Sequence, residues 1–198
     1  MKKKILPVII AVLLILVIGG VTLGKVLLDK YSYSKEEADW NEFYQVSETD
    51  RSAIILQDEM VEEQALIRDG VCYFDLATVH KYMNEVFYAD MTENLLLYAT
   101  PTEVIRTVFG ETSYNTTEGM QDVGFVISFV EGDTVYVAAD YVKLFTNYSY
   151  ECYDRHVQVY TEWGTRQVAQ LKKDTAVRLR GGVKSPILTH AAKGDTLE

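Results

Sequence analysis

The chain has few cysteines and histidines, and it lacks an excess of basic side chains. Two cysteines and three histidines occur in 198 residues, without any Cys-x-x-Cys or paired-histidine spacing. Those spacings are typical of zinc sites, so the sequence predicts no metal site and no cofactor. Acidic side chains outnumber basic ones by 29 to 19, which gives a net charge of −10. Because nucleic-acid binding needs a basic face, this balance argues against a nucleic-acid partner.

Motifs of enzymatic chemistry are also lacking. No serine or cysteine lies in a nucleophile-elbow context, and no glycine-rich loop follows a predicted strand to hold phosphate. The chain has enough acidic side chains to supply a carboxylate pair for glycoside hydrolysis, but no acidic residue lies in a motif together with a second catalytic carboxylate. The sequence therefore predicts no catalytic residues in this chain.

The N-terminal segment is apolar and uncharged over a long stretch. Lys2, Lys3 and Lys4 precede residues 5–23, and Lys25 follows them. A helix over this run spans about 28 Å, close to the thickness of the hydrocarbon core of a bilayer. The flanking lysines predict a cytoplasmic basic tail (1–4), a transmembrane anchor (5–24) and an exported remainder, so the lipid bilayer is a predicted partner. A cleavable signal peptide is the competing interpretation, although the run is longer than usual and lacks a small-x-small cleavage site.

A juxtamembrane linker is predicted over residues 25–53. Its polar sequence contains Trp40, Phe43 and Tyr44, which fit either a short helix or a tether with aromatic rings near the lipid headgroups.

Two later segments, 66–98 and 125–160, share a pattern of apolar and aromatic positions. Matched pairs are Tyr73 with Tyr136, Phe74 with Val137, Leu76 with Ala139, Val79 with Val142, Tyr82 with Phe145, Asn84 with Asn147 and Tyr98 with Tyr160. The offset is too long for a solenoid repeat and favours a duplicated small domain. Since the matched residues are mostly apolar, the repeat conserves a core between its two copies. Cys72 and Cys152 are not equivalent in it; two buried free thiols are the default expectation, and a disulfide is the alternative.

Each copy is predicted to form a hairpin, a short helix and a second hairpin, in an α+β fold. In the first copy, Asp69-Gly70 is a strong turn signal and Asp75 is placed to cap the helix. Residues 102–108 are expected to form a linking helix after Pro101. The predicted boundaries are a first repeat at 54–109, a loop at 110–122 and a second repeat at 123–164.

The elements DGVCYFDLATVHKYMN and GDTVYVAADYVKLFTN, each followed by an aromatic strand, resemble the copper amine oxidase N-terminal-like domain of secreted bacterial proteins. The resemblance covers residues 54–162. It implies a non-catalytic stalk or attachment module with no copper site.

Residues 165–198 resemble the opening of a bacterial SH3-type domain. Strand-like residues around Val177-Arg178-Leu179, the small pair Gly181-Gly182 and the turn Lys193-Gly194-Asp195 carry this resemblance. Such a barrel needs more residues than remain to close a core, so an incomplete SH3-like barrel and a truncated chain are expected.

The order of anchor, duplicated module and SH3-type segment resembles the front half of membrane-anchored family 18 glycoside hydrolases of Gram-positive bacteria. Their catalytic pattern, Asp-x-x-Asp-x-Asp-x-Glu, does not occur in the chain. Two hypotheses follow: a non-catalytic, cell-wall-associated stalk or binding module, or the non-catalytic front of such a hydrolase.

Aromatic side chains are the candidates for binding. Tyr148, Tyr150, Tyr153 and Trp163 are predicted to stack on sugars of peptidoglycan or another wall glycan, while packing within the sheet is the competing interpretation.

Overall fold

A computed structural model describes residues 5–163 and 168–197. It divides into two compact units. The first joins the segment that ends at Ala38 to the C-terminal segment, and the second begins at Asp39. The helices are α1 (Ile5–Tyr31), α2 (Trp40–Tyr44), α3 (Leu76–Tyr82) and α4 (Ala139–Lys143). The strands are β1 (Arg51–Leu56), β2 (Glu59–Arg68), β3 (Val71–Asp75), β4 (Phe87–Asp90), β5 (Leu95–Ala99), β6 (Val104–Val108), β7 (Ser113–Thr116), β8 (Gly119–Asp122), β9 (Ser128–Glu131), β10 (Thr134–Ala138), β11 (Ser149–Cys152), β12 (His156–Tyr160), β13 (Ala169–Gln170), β14 (Thr175–Arg178), β15 (Ile187–Ala191) and β16 (Thr196–Leu197).

The helix α1 contains the apolar N-terminal run and continues to Tyr31, beyond the predicted end of the anchor at residue 24. Its described large apolar side chains are exposed, from Ile9 to Leu28. An α-helix satisfies its own backbone hydrogen bonds, so this segment forms a regular helix without packing against protein.

The larger unit is built on a seven-stranded sheet in the order β11-β12-β1-β2-β3-β10-β9. Among the described strands of this sheet, β1 and β12 pair in parallel and the other neighbours pair antiparallel. The sheet is strongly curled into a half-barrel: the rings of Phe74 on β3 and Tyr150 on β11 lie 6.4 Å apart. In the sheet order, β3 and β11 are four inter-strand spacings apart, and in a flat sheet that separation would be about 19 Å.

In this sheet, β3 pairs with β10 in a register that is symmetric about the Phe74–Val137 pair. Phe74 lies opposite Val137, Tyr73 opposite Ala138, and Asp75 opposite Tyr136. The predicted Asp69-Gly70 hairpin turn joins β2 to β3, with φ of 53° and 78°. Such left-handed φ values are favourable for glycine and short polar residues, which is why the sequence predicts this turn.

The short helices follow these strands as predicted. Asp75 caps α3, since its Oδ1 accepts a hydrogen bond of 2.6 Å from the Thr78 N–H. The helix buries Thr78 and Val79. In contrast, α4 begins after Ala138, whose side chain makes no capping hydrogen bond, and it is held instead by burial of Tyr141 and Val142.

A second sheet of five strands, in the order β4-β5-β6-β7-β8, corrects two sequence expectations. The linking helix predicted for residues 102–108 is the strand β6, in which Ile105 and Thr107 are buried and their neighbours exposed. This alternation and the β-branched residues favour a strand, and pairing with β5 outweighed the helix signal of Pro101. The loop predicted for residues 110–122 contains the hairpin of β7 and β8.

A cluster of aromatic rings fills the space where α4 meets the five-stranded sheet. Phe145 lies 4.4 Å from Tyr98 and 5.3 Å from Tyr141, measured between ring centroids. Tyr114 on β7 reaches the same cluster, 5.4 Å from Tyr141. The tyrosine-rich composition is thus used largely for packing.

The predicted hairpin–helix–hairpin order occurs twice among the described elements, as β2-β3-α3-β4-β5 and β9-β10-α4-β11-β12. The closing hairpins differ, however. The first, β4-β5, belongs to the five-stranded sheet, and the second, β11-β12, extends the seven-stranded sheet beside β1.

The smaller unit pairs the C-terminal segment with the residues that follow α1. Ile187 on β15 donates its N–H to the Glu36 carbonyl and accepts from the Ala38 N–H, both at 2.7 Å. Arg178 donates to the carbonyls of Ser185 (2.5 Å) and Ser34 (3.0 Å). Part of the predicted linker therefore packs with the C-terminal hairpin as a third extended segment.

Two two-stranded ladders, β14-β15 and β13-β16, make up the described sheet structure of the C-terminal segment. The ladder of β14 and β15 lies within residues 175–191. The described residues form no closed barrel. The end of the predicted second repeat and the start of the SH3-like segment (164–167) lie outside the described residues.

Candidate binding surface

Four rings stack in a row on the larger unit, and we call Trp40, Tyr44, His156 and Tyr153 the aromatic row. Trp40 lies 5.7 Å from Tyr44, Tyr44 lies 4.8 Å from His156, and His156 lies 4.6 Å from Tyr153, between ring centroids. The interplanar angles are 25°, 22° and 13°, so each ring is nearly parallel to the next. Offset stacking of this kind is favourable for aromatic pairs.

The first two rings of the row come from α2. Asp39 begins this helix by accepting hydrogen bonds from the Asn41 and Glu42 N–H groups, at 2.8 and 3.3 Å. Residues four apart share one face of a helix, which places Trp40 beside Tyr44. Tyr44 is buried with Val46 in a small cluster of its own.

The other two rings come from the hairpin of β11 and β12. The Tyr153 N–H donates to the His156 carbonyl at 2.8 Å and closes the turn between the strands. The Tyr153 hydroxyl donates to a Glu151 carboxylate oxygen at 2.6 Å, which fixes the ring over the imidazole.

The row is exposed at its two ends and supported in its middle. Trp40 exposes 40% and Tyr153 51% of its surface, whereas Tyr44 exposes 7%. Because the central rings are packed, the outer rings are held in place before any ligand arrives. Rigid aromatic faces with a polar edge bind flat, amphipathic groups at low entropic cost.

The aromatic row carries no charge on its rings at neutral pH. Burial lowers the pKa of His156, which keeps the imidazole neutral. Burial also raises the pKa of Tyr44. The hydrogen bond to Glu151, together with burial, raises the pKa of Tyr153. The row therefore favours stacking over ion pairing with a ligand.

The four sequence-predicted stacking residues have different environments. Tyr148 is 2% exposed and its hydroxyl donates to the Ala139 carbonyl, so the binding prediction is wrong for this residue. Tyr150 is half-buried and packs against Phe74 and Tyr148. Tyr153 lies in the aromatic row, and Trp163 is 62% exposed after β12. Burial of Tyr148 follows from the curl of the sheet, which turns this part of the chain inward.

Sequence reasoning missed Trp40, Tyr44 and His156 as members of one surface. The spacing of Trp40 and Tyr44 was a usable local signal. Their proximity to His156 arises from tertiary packing of segments more than one hundred residues apart, for which the sequence holds no local signal.

A polar cluster on the seven-stranded sheet has a structural role. Glu131 on β9 pairs with both Arg51 (3.5 Å) and Arg68. The Arg68 guanidinium lies 4.2 Å from the Phe129 ring, and Arg51 donates to the Tyr136 hydroxyl at 2.6 Å. These contacts tie β1, β2 and β9 together across the curl of the sheet.

An open cleft of about 510 Å³ lies between α3 and the β9–β10 turn. Its ionisable lining residues are Asp75, His80 and Asp133. Asp75 caps α3, and the His80 Nε2 bonds the Phe87 carbonyl at 2.6 Å. Two of the three groups are therefore engaged in structure. Among residues 5–163 and 168–197, no group of three or more His, Cys, Asp or Glu side chains could hold a metal ion.

Comparison with known proteins finds no matching family model, no matching curated protein and no matching solved structure. The residue geometry therefore carries the functional argument alone. In the described part of the chain, one helix, Ile9–Tyr31, is long and apolar enough to cross a membrane, with a mean hydropathy of 2.6 and none of it buried. A signal sequence satisfies the same criterion.

Proposed function

We propose that this protein is a membrane-anchored, extracytoplasmic and non-catalytic module that associates with the cell wall and binds its glycans through the aromatic row. The observation that carries the proposal is α1, a helix of 27 residues whose described large apolar side chains are exposed. Exposed apolar surface on this scale needs a lipid environment.

The orientation follows from the lysines at the N-terminus. Lys2, Lys3 and Lys4 precede the apolar run and carry the local positive charge. Positive flanks stay on the cytoplasmic side of a membrane, so both compact regions after α1 lie outside.

Glycan binding is supported by the exposed ends of the aromatic row. Trp40 and Tyr153 present rings that are already held in place, and the row is uncharged at neutral pH. The chain itself has a net charge of −10, which repels anionic polymers at long range. Ring stacking on the apolar face of a sugar is the recognition mode that remains compatible with this charge.

A non-catalytic role is supported by the engagement of the ionisable groups. Asp75 caps a helix, His80 bonds a backbone carbonyl, and Glu131 bridges two arginines. The polar atoms of these three side chains are thus occupied by contacts within the fold.

The module is further proposed to be an internal duplication of the copper amine oxidase N-terminal-like type. Support comes from the register between β3 and β10, in which the sequence-matched residues Phe74 and Val137 lie opposite each other. Antiparallel pairing of equivalent residues is what a local twofold relation between two copies produces.

The membrane proposal is tested by protease shaving of intact cells that produce the full chain with an N-terminal epitope. We expect the region after α1 to be digested and the epitope to stay protected until the cells are opened. Full protection of the region after α1 in intact cells contradicts the proposed orientation, and release of the mature region into the medium identifies α1 as a cleaved signal.

The binding proposal is tested by retention of the detergent-solubilised full chain on purified peptidoglycan and on chitin. Trp40→Ala and Tyr153→Ala are each expected to weaken retention about tenfold, since each removes one exposed stacking face. Tyr88→Ala is the matched control, because Tyr88 is 61% exposed on the other sheet. Retention no stronger than that of an equally acidic control protein overturns the proposal.

A further inference from the structure

The two cysteines lie on strands that are distant in the sheet order but adjacent in space. Cys72 is on β3 and Cys152 ends β11, with β12, β1 and β2 between these strands. The curl of the sheet closes this gap, as the 6.4 Å contact between the rings of Phe74 and Tyr150 shows. Cys72 is two residues from Phe74, and Cys152 is two residues from Tyr150. Since alternate residues of a strand point to the same face, each cysteine shares the face of its aromatic neighbour.

The two thiols are electrostatic neighbours. Each of Cys72 and Cys152 shifts the pKa of the other, and both shift the pKa values of Tyr148 and Tyr150. Cys72 is 3% exposed, whereas Cys152 is exposed to solvent. One thiol is therefore accessible to a reagent, and the other is buried.

We propose that Cys72 and Cys152 form an intramolecular disulfide when the protein meets an oxidising disulfide compound or a disulfide-carrying oxidoreductase. The bond ties the edge strand β11 to β3 and closes the loop between residues 72 and 152. The inference concerns the fold of the larger unit and does not depend on what the aromatic row binds.

The exchange proceeds in two balanced steps. The Cys152 thiolate attacks one sulfur of the oxidant's disulfide, which forms a mixed disulfide and releases one oxidant thiolate. The Cys72 thiolate then attacks the Cys152 sulfur and expels the second oxidant thiolate. The two cysteines lose two protons and two electrons, and the oxidant is reduced to two thiols.

The electrostatics of the pair assign the two roles. The hydrogen bond from Cys72 lowers the pKa of Cys152, although burial and Asp140 oppose the shift. The hydrogen bond to Cys152, with burial, raises the pKa of Cys72. A more acidic and exposed thiol reacts first with an external disulfide, and a buried thiol resolves the mixed disulfide.

The experiment oxidises the purified full chain in detergent with excess glutathione disulfide, and then alkylates the remaining thiols under denaturing conditions. We expect loss of both alkylatable thiols, an intact mass lower by two hydrogen atoms, and no retained glutathione. The midpoint of thermal unfolding is expected to rise by roughly 10 °C, because the long closed loop restricts the unfolded chain.

Cys152→Ser is the matched variant, because its substituted side chain is exposed and the fold tolerates it. Under the same oxidant Cys72 is expected to remain alkylatable after denaturation, and the thermal midpoint to stay unchanged. Three outcomes overturn the proposal: a stable glutathione adduct at Cys152 in the wild-type protein, a dimer linked through Cys152, or two unreacted thiols. Each leaves the glycan-retention result unaffected, so the two proposals fail independently.

Discussion

Phe74 and Val137 lie opposite each other in the ladder between β3 and β10, and both are fully buried. On either side of this pair, Tyr73 faces Ala138 and Asp75 faces Tyr136. Both residues belong to the hydrophobic core of the larger unit, to which both sheets and the helices α3 and α4 contribute buried side chains.

Truncation of either core side chain is expected to lower the free energy of unfolding. Phe74→Ala should lower the free energy of unfolding by about 3–5 kcal/mol, because it removes a large ring and leaves a cavity. Val137→Ala should cost about 2 kcal/mol, since less apolar surface is lost. Urea unfolding of the full chain in detergent, followed by tryptophan fluorescence, measures both. Tyr88→Ala, at an exposed position, should change the midpoint little. Equal costs for Phe74→Ala and Tyr88→Ala would contradict the packing described.

Substitutions of one residue, Asp75, measure how much the N-terminal cap of α3 contributes to stability. Asp75→Ala removes the acceptor of the Thr78 N–H and is expected to lower the free energy of unfolding by about 1 kcal/mol. Asp75→Asn retains an acceptor oxygen and should keep most of that stability. If the two variants lose the same amount in urea unfolding, the hydrogen bond is not what stabilises the helix start.

The β2–β3 turn requires left-handed backbone at Asp69 and Gly70, with φ of 53° and 78°. Gly70→Ala is expected to cost about 1–2 kcal/mol, because a Cβ in this conformation clashes with its own carbonyl. Nothing else lies near the added Cβ, so the cost is purely conformational. Asp69→Asn is the control, since asparagine also tolerates this region. If Gly70→Ala leaves the midpoint of urea unfolding unchanged, the turn has another conformation.

Tyr148 is expected to act in stability and not in binding. Tyr148→Phe removes the hydroxyl that donates to the buried Ala139 carbonyl, so the free energy of unfolding should fall by about 1–2 kcal/mol. Retention on peptidoglycan should be unchanged, in contrast to Tyr153→Ala. A loss of retention with unchanged stability would reverse this assignment.

His156 makes stability depend on pH. Burial lowers its pKa in the folded state, so the unfolded chain binds the proton more tightly. Above about pH 6.5, His156 is neutral in both states and does not lower the free energy of unfolding. As the pH falls from there towards the folded pKa, protonation of the unfolded chain lowers the free energy of unfolding. Urea midpoints at pH 7.5 and pH 5.5 should differ more for the wild-type protein than for His156→Gln. The same decrease in both proteins would assign the pH dependence to carboxylates instead.

Local chemistry explains which elements could be predicted. The Asp69-Gly70 turn and the Asp75 cap depend on residues within a few positions of one another, and both are present as expected. The linking helix predicted over residues 102–108 was wrong, because the local signals there were mixed. Pro101 favours a helix start, while Val104, Ile105 and Thr107 favour a strand, and pairing with β5 decided the outcome.

The candidate site was predicted only in part. Tyr153 was named from its sequence position beside other aromatic residues, and it lies in the aromatic row. Tyr148, from the same short stretch, is buried. Composition cannot separate these two residues, because their exposure depends on how the sheet curls.

The amino-acid sequence alone determined the apolar helix α1, the Asp69-Gly70 turn and the cap of α3, since each results from interactions between residues close together in the chain. Tertiary structure alone decided that β11 curls back to β3, that Trp40 stacks towards His156, and that Cys72 meets Cys152. These contacts join residues far apart in the chain, and the curl of the seven-stranded sheet and the packing of α2 against β12 bring them together.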